Sequence, residues 1–140
     1  MSGPHSFRAP RERGIEALIT AAREVRQRAY APYSKYKVGA AILTRTGKVF
    51  TGCNVENSTF GATICAERTA IAKMVSADER DPIACVVVTA GPQPGSPCGI
   101  CRQVLSEFAD DMRIILVAQR TRMETTLAAL LPDAFRLEHR

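Results

Sequence analysis

Residues 82–105 read PIACVVVTAGPQPGSPCGICRQVL, and this stretch decides the fold class. Ile83 to Thr89 is apolar and mostly β-branched, which is typical of a strand buried on both faces. A loop rich in turn residues follows and predicts a helix beginning at Cys98. A second buried strand is expected from Ile114 to Ala118. A strand, a helix and a strand in this order predict a right-handed crossover between two parallel strands.

Patterns on either side of this unit add further helices and strands. Apolar residues at helical spacing predict a helix from Gly14 to Tyr30 that Pro32 ends. The remaining predictions are strands at Val38–Leu43 and Val49–Val55 around a turn at 45–48, a helix from about Cys65, and a helix at Met123–Leu131. Helices that alternate with buried strands indicate a mixed sheet between helical layers, which is an α/β fold.

Composition sets the broad class of the protein. The chain has 140 residues, of which 46% are hydrophobic and 24% charged, so we expect one packed domain over 14–140 rather than general disorder. Residues 1–13 are basic and lack an apolar segment, which predicts a flexible tail and no secretory signal. No stretch approaches the roughly 18–20 apolar residues of a membrane span, so no membrane partner is expected. The default location is the reducing cytoplasm.

The five cysteines carry the strongest chemical signal. Cys98 and Cys101 form a C-x-x-C at a predicted helix start, which alone indicates half a zinc site, a redox pair or chance. Cys65 lies 33 positions before Cys98, also at a predicted helix start. Three thiolates that meet between two helix N-termini would leave one tetrahedral position open, as in catalytic zinc sites.

Charged residues next to these cysteines fit the same interpretation. Glu67, two residues after Cys65, is expected beside the open position without being a ligand. Arg68 or Arg102 would donate to sulfur and offset the negative charge of three thiolates. Cys53 and Cys85 lie in strand-like runs and are predicted to be core residues. Both histidines, His5 and His139, lie near the chain ends and fit no site.

Three blocks of sequence carry a resemblance to a known family. They are YAPYSKYKVGAAI at 30–42, TGCNVENSTFGATICAERTAI at 51–71 and SPCGICRQVLSEF at 96–108. C-x-E followed at a distance by P-C-x-x-C is the signature of zinc-dependent deaminases in its three-cysteine form. In order and spacing, the blocks resemble the short-chain, homotetrameric cytidine deaminases. The similarity extends from about Arg26 to Phe135.

The resemblance implies a fold, a reaction and a cofactor. The fold would be the three-layer α-β-α cytidine deaminase fold with a mixed sheet of about five strands. The reaction would be hydrolytic deamination of cytidine and deoxycytidine to uridine and deoxyuridine, with release of ammonia. One Zn²⁺ per chain, held by Cys65, Cys98 and Cys101, would provide the attacking hydroxide. Glu67 would be the proton shuttle.

The resemblance also implies the nucleoside contacts. Asn54 and Glu56 would bind the ribose hydroxyl, Tyr36 would pack on the pyrimidine, and Ala66 would line the pocket. Phe60 and Phe135 would come from neighbouring subunits of a homotetramer with shared active sites. Tyr36 stands where phenylalanine is commoner in the family, and Phe60 where tyrosine is usual. These departures predict altered nucleoside binding rather than lost chemistry.

Three alternatives remain open from the sequence. The first is a deaminase of another aminopyrimidine, such as a blasticidin-type antibiotic, although Asn54-Val55-Glu56-Asn57 favours ordinary cytidine. The second is a zinc-stabilised nucleic-acid-binding module, which the net charge of +5 suggests and the dispersed arginines argue against. The third is a polynucleotide editor, which would need aromatic and basic insertions that the 140 residues do not contain. We therefore expect a free nucleoside as partner rather than a nucleic acid.

Overall fold

The computed structural model describes residues 12–137, with side chains from Gly14 onward. In chain order the elements are α1 (Glu12–Arg26), β1 (Val38–Thr44), β2 (Val49–Cys53), a 3₁₀ turn (Phe60–Ala62), α2 (Ala66–Ser76), β3 (Pro82–Thr89), α3 (Gly99–Ser106), β4 (Arg113–Val117), β5 (Arg122–Thr126) and α4 (Leu127–Leu130). All but two residues of the predicted tail lie outside the described range. No helix within that range combines the length and apolar character that a bilayer crossing requires.

The five strands form one mixed sheet in the order β2-β1-β3-β4-β5. Only β3 and β4 are parallel, and α3 lies between them in the chain, as the crossover prediction requires. The other three pairs are antiparallel. Gly47, at φ +93°, provides the left-handed conformation that the predicted β1–β2 turn needs.

Both faces of the sheet are covered by helices, because successive strand residues point to opposite sides. On β3, Cys85 and Val87 pack in a cluster with apolar residues of α2 and α3. Their neighbours Val86 and Val88 pack in a second cluster with α1, around Ile15, Leu18 and Ala22. All eight residues of β3 are buried. The three-layer α-β-α architecture with a mixed sheet of five strands is therefore confirmed.

The predicted helix at Met123–Leu131 is wrong in its first half. Residues 122–126 form β5, which pairs with β4, and Arg113 and Glu124 form an ion pair across the two strands at 2.7 Å. The strand is favoured because its backbone pairs with β4 and because Thr125 and Thr126 are β-branched. The helix begins only after Thr126, whose Oγ1 accepts a hydrogen bond from the N–H of Ala129 at 3.2 Å.

The first helix is shorter than its periodicity predicts. It ends at Arg26 rather than Tyr30, and i→i+3 bonds tighten the chain through Ala29. The N–H of Tyr30 then donates to the carbonyl of Asn54 at 3.0 Å. Pairing with the segment after β2 thus takes Tyr30 out of the helix.

Close packing of α2 on β2 positions the first turn of α2. A Cβ added at Gly52 would lie 2.5 Å from both the carbonyl oxygen of Ala66 and the nitrogen of Ala70. Such a distance is far inside van der Waals contact, so only glycine allows this approach. The helix backbone between Cys65 and Ala70 therefore rests directly on the strand.

Candidate functional site

Three cysteine sulfurs meet where the N-termini of α2 and α3 converge. Cys65 immediately precedes α2, Cys98 immediately precedes α3, and Cys101 lies in the first turn of α3. Their Sγ atoms, called the sulfur cluster below, all lie within 4.8 Å of one another, and those of Cys65 and Cys98 are 3.9 Å apart. Tetrahedral zinc with Zn–S bonds of about 2.3 Å separates its sulfurs by about 3.8 Å. The donor set and its dimensions therefore fit one zinc ion.

Electrostatics in the sulfur cluster favour thiolate. A hydrogen bond from Cys101 lowers the pKa of Cys65 to about 5, with a smaller contribution from Arg68 that acts in the same direction. The same contact with Cys65 raises the pKa of Cys101. One sulfur is thus ionised at neutral pH before any metal binds, and zinc binds thiolate rather than thiol.

Arg68 brings a positive charge to the sulfur cluster. Its Nη2 lies 3.6 Å from the Sγ of Cys65 and donates to the carbonyl of Thr63 at 3.2 Å. Within the described chain its Nε is buried without a hydrogen-bond partner. The guanidinium is therefore held against the sulfurs by a bond to the loop before α2.

Arg102 does not take the role that the sequence suggests as an alternative to Arg68. Its guanidinium donates to the carbonyls of Pro97 and Leu130 and to the Oγ of Ser96, each at 2.8 Å. Of the two candidates, Arg68 is therefore the one that contacts a sulfur among the described residues, and the hydrogen bonds described for Arg102 all go to oxygen. Arg102 instead ties the loop before Cys98 to the end of α4.

Glu67 lies in the first turn of α2 and is only 4% exposed. Burial raises the pKa of its carboxyl to about 7, and the negative charge of Cys65 acts in the same direction. Its oxygens are not among the groups that converge as metal ligands in the described residues. A carboxyl group with a pKa near 7 can both accept and release a proton at neutral pH.

Asn54 and Glu56 hold the segment that carries Tyr36. The Oδ1 of Asn54 accepts from the N–H of Val38, and its Nδ2 donates to the carbonyl of Tyr36, both at 2.8 Å. Glu56 accepts from the N–H of Tyr33 at 2.9 Å. These two polar side chains therefore position residues 33–38. The sequence does not predict this structural role of Asn54 and Glu56.

Ser34 is the second anchor on Glu56. Its backbone N–H donates to Oε1 at 3.2 Å, and its hydroxyl donates to Oε2. The hydroxyl bond is the main reason that the pKa of Glu56 lies below its usual value. The carboxylate is thus held ionised and in place.

The aromatic side chains that the sequence singles out lie on the surface of the chain. Tyr36, Phe60 and Phe135 are 44%, 76% and 68% exposed. Phe60 contacts Tyr33 edge-on, with ring centroids 6.1 Å apart. The Tyr36 hydroxyl lies against Gly95, where an added Cβ would be 2.8 Å from it. Among residues 14–137, large faces of Phe60 and Phe135 therefore remain exposed.

Comparison with known proteins identifies the family. Residues 13–118 match the model described as the cytidine and deoxycytidylate deaminase zinc-binding region. The chain belongs to the cytidine deaminase family. The cytidine deaminase of Sporosarcina psychrophila is 47% identical over 126 residues, 89% of this chain and 93% of that protein. The crystal structure of the Burkholderia pseudomallei cytidine deaminase has a TM-score of 0.83 and 47% identity, covering 86% of this chain and 98% of that one.

A deaminase of an antibiotic is also among the relatives. The blasticidin-S deaminase of Bacillus cereus is 32% identical over 108 residues, which cover 71% of this chain and 76% of that protein. Family membership makes the protein a zinc-dependent hydrolytic enzyme, and the sulfur cluster is where its zinc fits.

The remaining two cysteines of this deaminase lie outside the sulfur cluster. Cys85 is fully buried on β3, as predicted, and burial raises the pKa of its thiol. Cys53 at the end of β2 is only half-buried, because β2 is an edge strand. Tyr33 and Ser34, which donate to Glu56, and Gly95, which contacts Tyr36, also belong to the candidate site. The sequence shows them only as turn residues, so no local signal assigns them to the site.

Proposed function

We propose that this deaminase converts cytidine and deoxycytidine, with water, into uridine and deoxyuridine plus ammonia, as a step of pyrimidine salvage. One observation carries the proposal: the charge of Cys65 in the sulfur cluster acts on the buried carboxyl of Glu67, which is not among the converging ligand groups of the described residues. A zinc site with an open position next to an acid of pKa near 7 suits hydrolysis of an exocyclic amine.

Zinc held by Cys65, Cys98 and Cys101 would supply Lewis-acid activation of the attacking water. Glu67 takes a proton from that water and passes it to ring N3, which makes C4 electrophilic. As the water oxygen adds to C4, the same carboxyl takes the second proton of that oxygen and delivers it to the amino group, so that the C4–N bond breaks, a C4 carbonyl remains and ammonia leaves. Arg68 holds its charge against the sulfurs throughout and limits the negative charge of the three thiolates.

We propose that the nucleoside lies between Glu67 and the segment held by Asn54 and Glu56. Those two side chains would bind the ribose hydroxyl, and Tyr36 would pack on the pyrimidine. Asn54 has one amide hydrogen left after its bond to Tyr36, and Glu56 retains lone pairs for a hydroxyl. Ala66 is fully buried, so its contribution would come from the main chain between Cys65 and Glu67.

We propose a homotetramer in which neighbouring subunits share active sites. The support is the exposed apolar surface of one chain, since monomeric proteins rarely expose large contiguous apolar patches. Its members near the site are Tyr30, Tyr33, Val55, Phe60, Ile64, Ile100 and Phe135. Phe60 and Phe135 would enter the pockets of neighbouring subunits. Light scattering should give a mass of four times 15.2 kDa, whereas a monomer mass would contradict the arrangement.

We propose that the enzyme works in the cytoplasm on free nucleosides and not on nucleic acid. All five cysteines are free, which suits a reducing compartment. Several arginines are neutralised within the chain, which supports a solvated surface rather than a phosphate-binding one. These ion pairs are Arg45–Asp81, Arg113–Glu124, Arg122–Glu16 and Arg136–Asp110.

A spectrophotometric assay with a panel of substrates tests the function. Zinc-loaded protein should deaminate cytidine and deoxycytidine, with metal analysis giving one zinc per chain. Cytosine, which lacks the sugar, should be a poor substrate. Blasticidin S is the second candidate substrate, because one relative carries that name. Faster turnover of blasticidin S than of either nucleoside would overturn the proposal in favour of that candidate.

A further inference from the structure

Side chains of α3 hold the end of the chain as well as the metal site. The C-terminal arm, defined as residues 131–137, follows α4. Gln103 donates from its Nε2 to the carbonyl of Phe135 at 2.8 Å. Residues two apart on a helix point about 200° away from each other. Cys101 therefore faces the sulfur cluster while Gln103 faces the arm.

Arg136, the residue after Phe135, is the second anchor of the arm. Its guanidinium donates to the carbonyls of Ser106 and Ala109, the latter at 3.2 Å, and pairs with Asp110. Carbonyls at the end of a helix lack intrahelical partners and carry partial negative charge, so a guanidinium there makes favourable bonds. The Arg136 side chain is only 22% exposed.

These bonds hold the backbone of the arm, whereas the Phe135 ring projects from the arm into solvent. The carbonyl of Phe135 and the side chain of the next residue are both held, whereas Phe135 itself is 68% exposed. A core residue would show the reverse arrangement, with its ring buried. The arm is thus built to present an aromatic ring outward in a fixed position.

We propose that Gln103 and Arg136 are positioning residues that set the Phe135 ring for insertion into the active site of a neighbouring subunit. The inference rests on the proposed function, in which Phe135 contacts the nucleoside. A ring held in its bound position costs less entropy to order on binding, so the anchors act on affinity rather than on the chemical step. The bonds that Gln103 and Arg136 make to the arm do not involve Glu67 or the sulfur cluster. Removing these bonds should therefore leave the chemical step and the metal site unchanged.

Variants of Gln103 test the kinetic part of the proposal. Gln103→Met removes the donor at similar size, and KM for cytidine should rise about two- to tenfold. The values of kcat and zinc content should stay within about twofold. Gln103→Lys restores a donor and should recover much of the affinity. Gln119→Met is the matched control, because Gln119 is exposed in the turn between β4 and β5, where its N–H bonds to the carbonyl of Gly91 rather than to the arm.

A double-mutant cycle separates positioning from general damage. Phe135→Ala should raise KM by itself, and adding Gln103→Met to it should have no further effect, because the ring that Gln103 positions is gone. Arg136→Met should behave as Gln103→Met does. Additive effects of Gln103→Met and Phe135→Ala would contradict the proposal.

The mobility of the side chain at position 135 can be measured by fluorescence, independently of enzyme activity. The chain contains no tryptophan, so Phe135→Trp introduces a single fluorophore at the ring position. Adding Gln103→Met should lower its anisotropy, and adding Gln119→Met should not. Unchanged anisotropy with Gln103→Met would overturn the positioning role. Lower anisotropy with unchanged KM would overturn the link to nucleoside binding. If the unmutated enzyme fails to deaminate cytidine, the proposed function fails, and anisotropy still decides whether Gln103 orders the arm.

Discussion

Arg68 lies with its Nη2 3.6 Å from the Sγ of Cys65, the sulfur whose pKa falls to about 5. The contact joins residues three apart at the start of α2, so both the charge and the sulfur move with one helix turn. With the zinc ion that we propose, three thiolates would sum to a net charge of about −1, and this arginine would restore neutrality. In the proposed site, a residue that binds no metal would thus balance the charge.

Removing this charge should weaken zinc binding. For Arg68→Gln we expect zinc affinity to fall about 10- to 100-fold, as measured by competition with a chromogenic chelator. Lys73→Gln removes a charge from the same helix, where the amine donates to the Oγ1 of Thr51 at 3.4 Å, and should leave the affinity unchanged. Equal affinity in Arg68→Gln and the unmutated enzyme would contradict the charge-balancing role.

Removing the carboxyl of Glu67 should abolish turnover while zinc stays bound. Glu67→Gln keeps the size of this buried side chain, and we expect kcat for cytidine to fall at least 10²-fold, because the amide cannot carry the protons. Metal analysis should still give one zinc per chain. A variant that retains zinc and turns over at the normal rate would show that another group moves the protons.

The pKa of Glu56 predicts a pH-dependent stability. Its pKa in the folded chain lies below 4.5, mainly because of the Ser34 hydroxyl, so its contribution is present above about pH 4.5 and disappears as the pH falls through the folded value. Glu56→Gln should lower the melting temperature at pH 7, and the difference from the unmutated protein should shrink in acid. Glu24→Gln, at an exposed position of α1, is the control. A difference that is constant between pH 7 and pH 3 would contradict the role of the ionised carboxylate.

Substitution of Gly52 should disturb the active site through the backbone. The added Cβ of Gly52→Ala would lie 2.5 Å from the main chain of Ala66 and Ala70, so α2 must move. We expect a loss of about 1–3 kcal/mol in the free energy of unfolding, measured in urea, together with a lower kcat. At Gly61 an added Cβ meets nothing within 4 Å, so Gly61→Ala should be neutral in both measurements. Similar losses in the two variants would rule out this contact as the cause.

The convergence of the three sulfurs is the feature that the sequence predicts best. Cys65 and Cys98 both precede helices, and α2 and α3 pack on the same face of the sheet, so the motif spacing and the βα pattern suffice to bring the sulfurs together. The position of Glu67 near the sulfurs is predicted by the same motif, because Glu67 lies in the helix turn that begins at Cys65. Local sequence carries this information because each group sits at an element terminus.

Contacts between distant segments are what the sequence does not reveal. Asn54 and Glu56 satisfy the backbone of residues 33–38, about 20 positions earlier, and no periodicity encodes such a bond. Arg102 is equally ambiguous, since an arginine near a cysteine can reach sulfur or carbonyl oxygen. At β5 the pattern of 122–126 fits a helix in isolation, and pairing with β4 overrides that local preference.

The sulfur cluster also has a consequence for the stability of the folded protein and for its amount in the cell. Cys65 and Cys98 are 33 residues apart, and the stretch between them contains α2 and the fully buried strand β3. A metal ion that joins them acts as a cross-link across the centre of the fold, and binding free energy at such a site adds to folding free energy. Zinc starvation would therefore reduce the amount of intact enzyme together with its turnover, because unfolded chains are cleared by proteases.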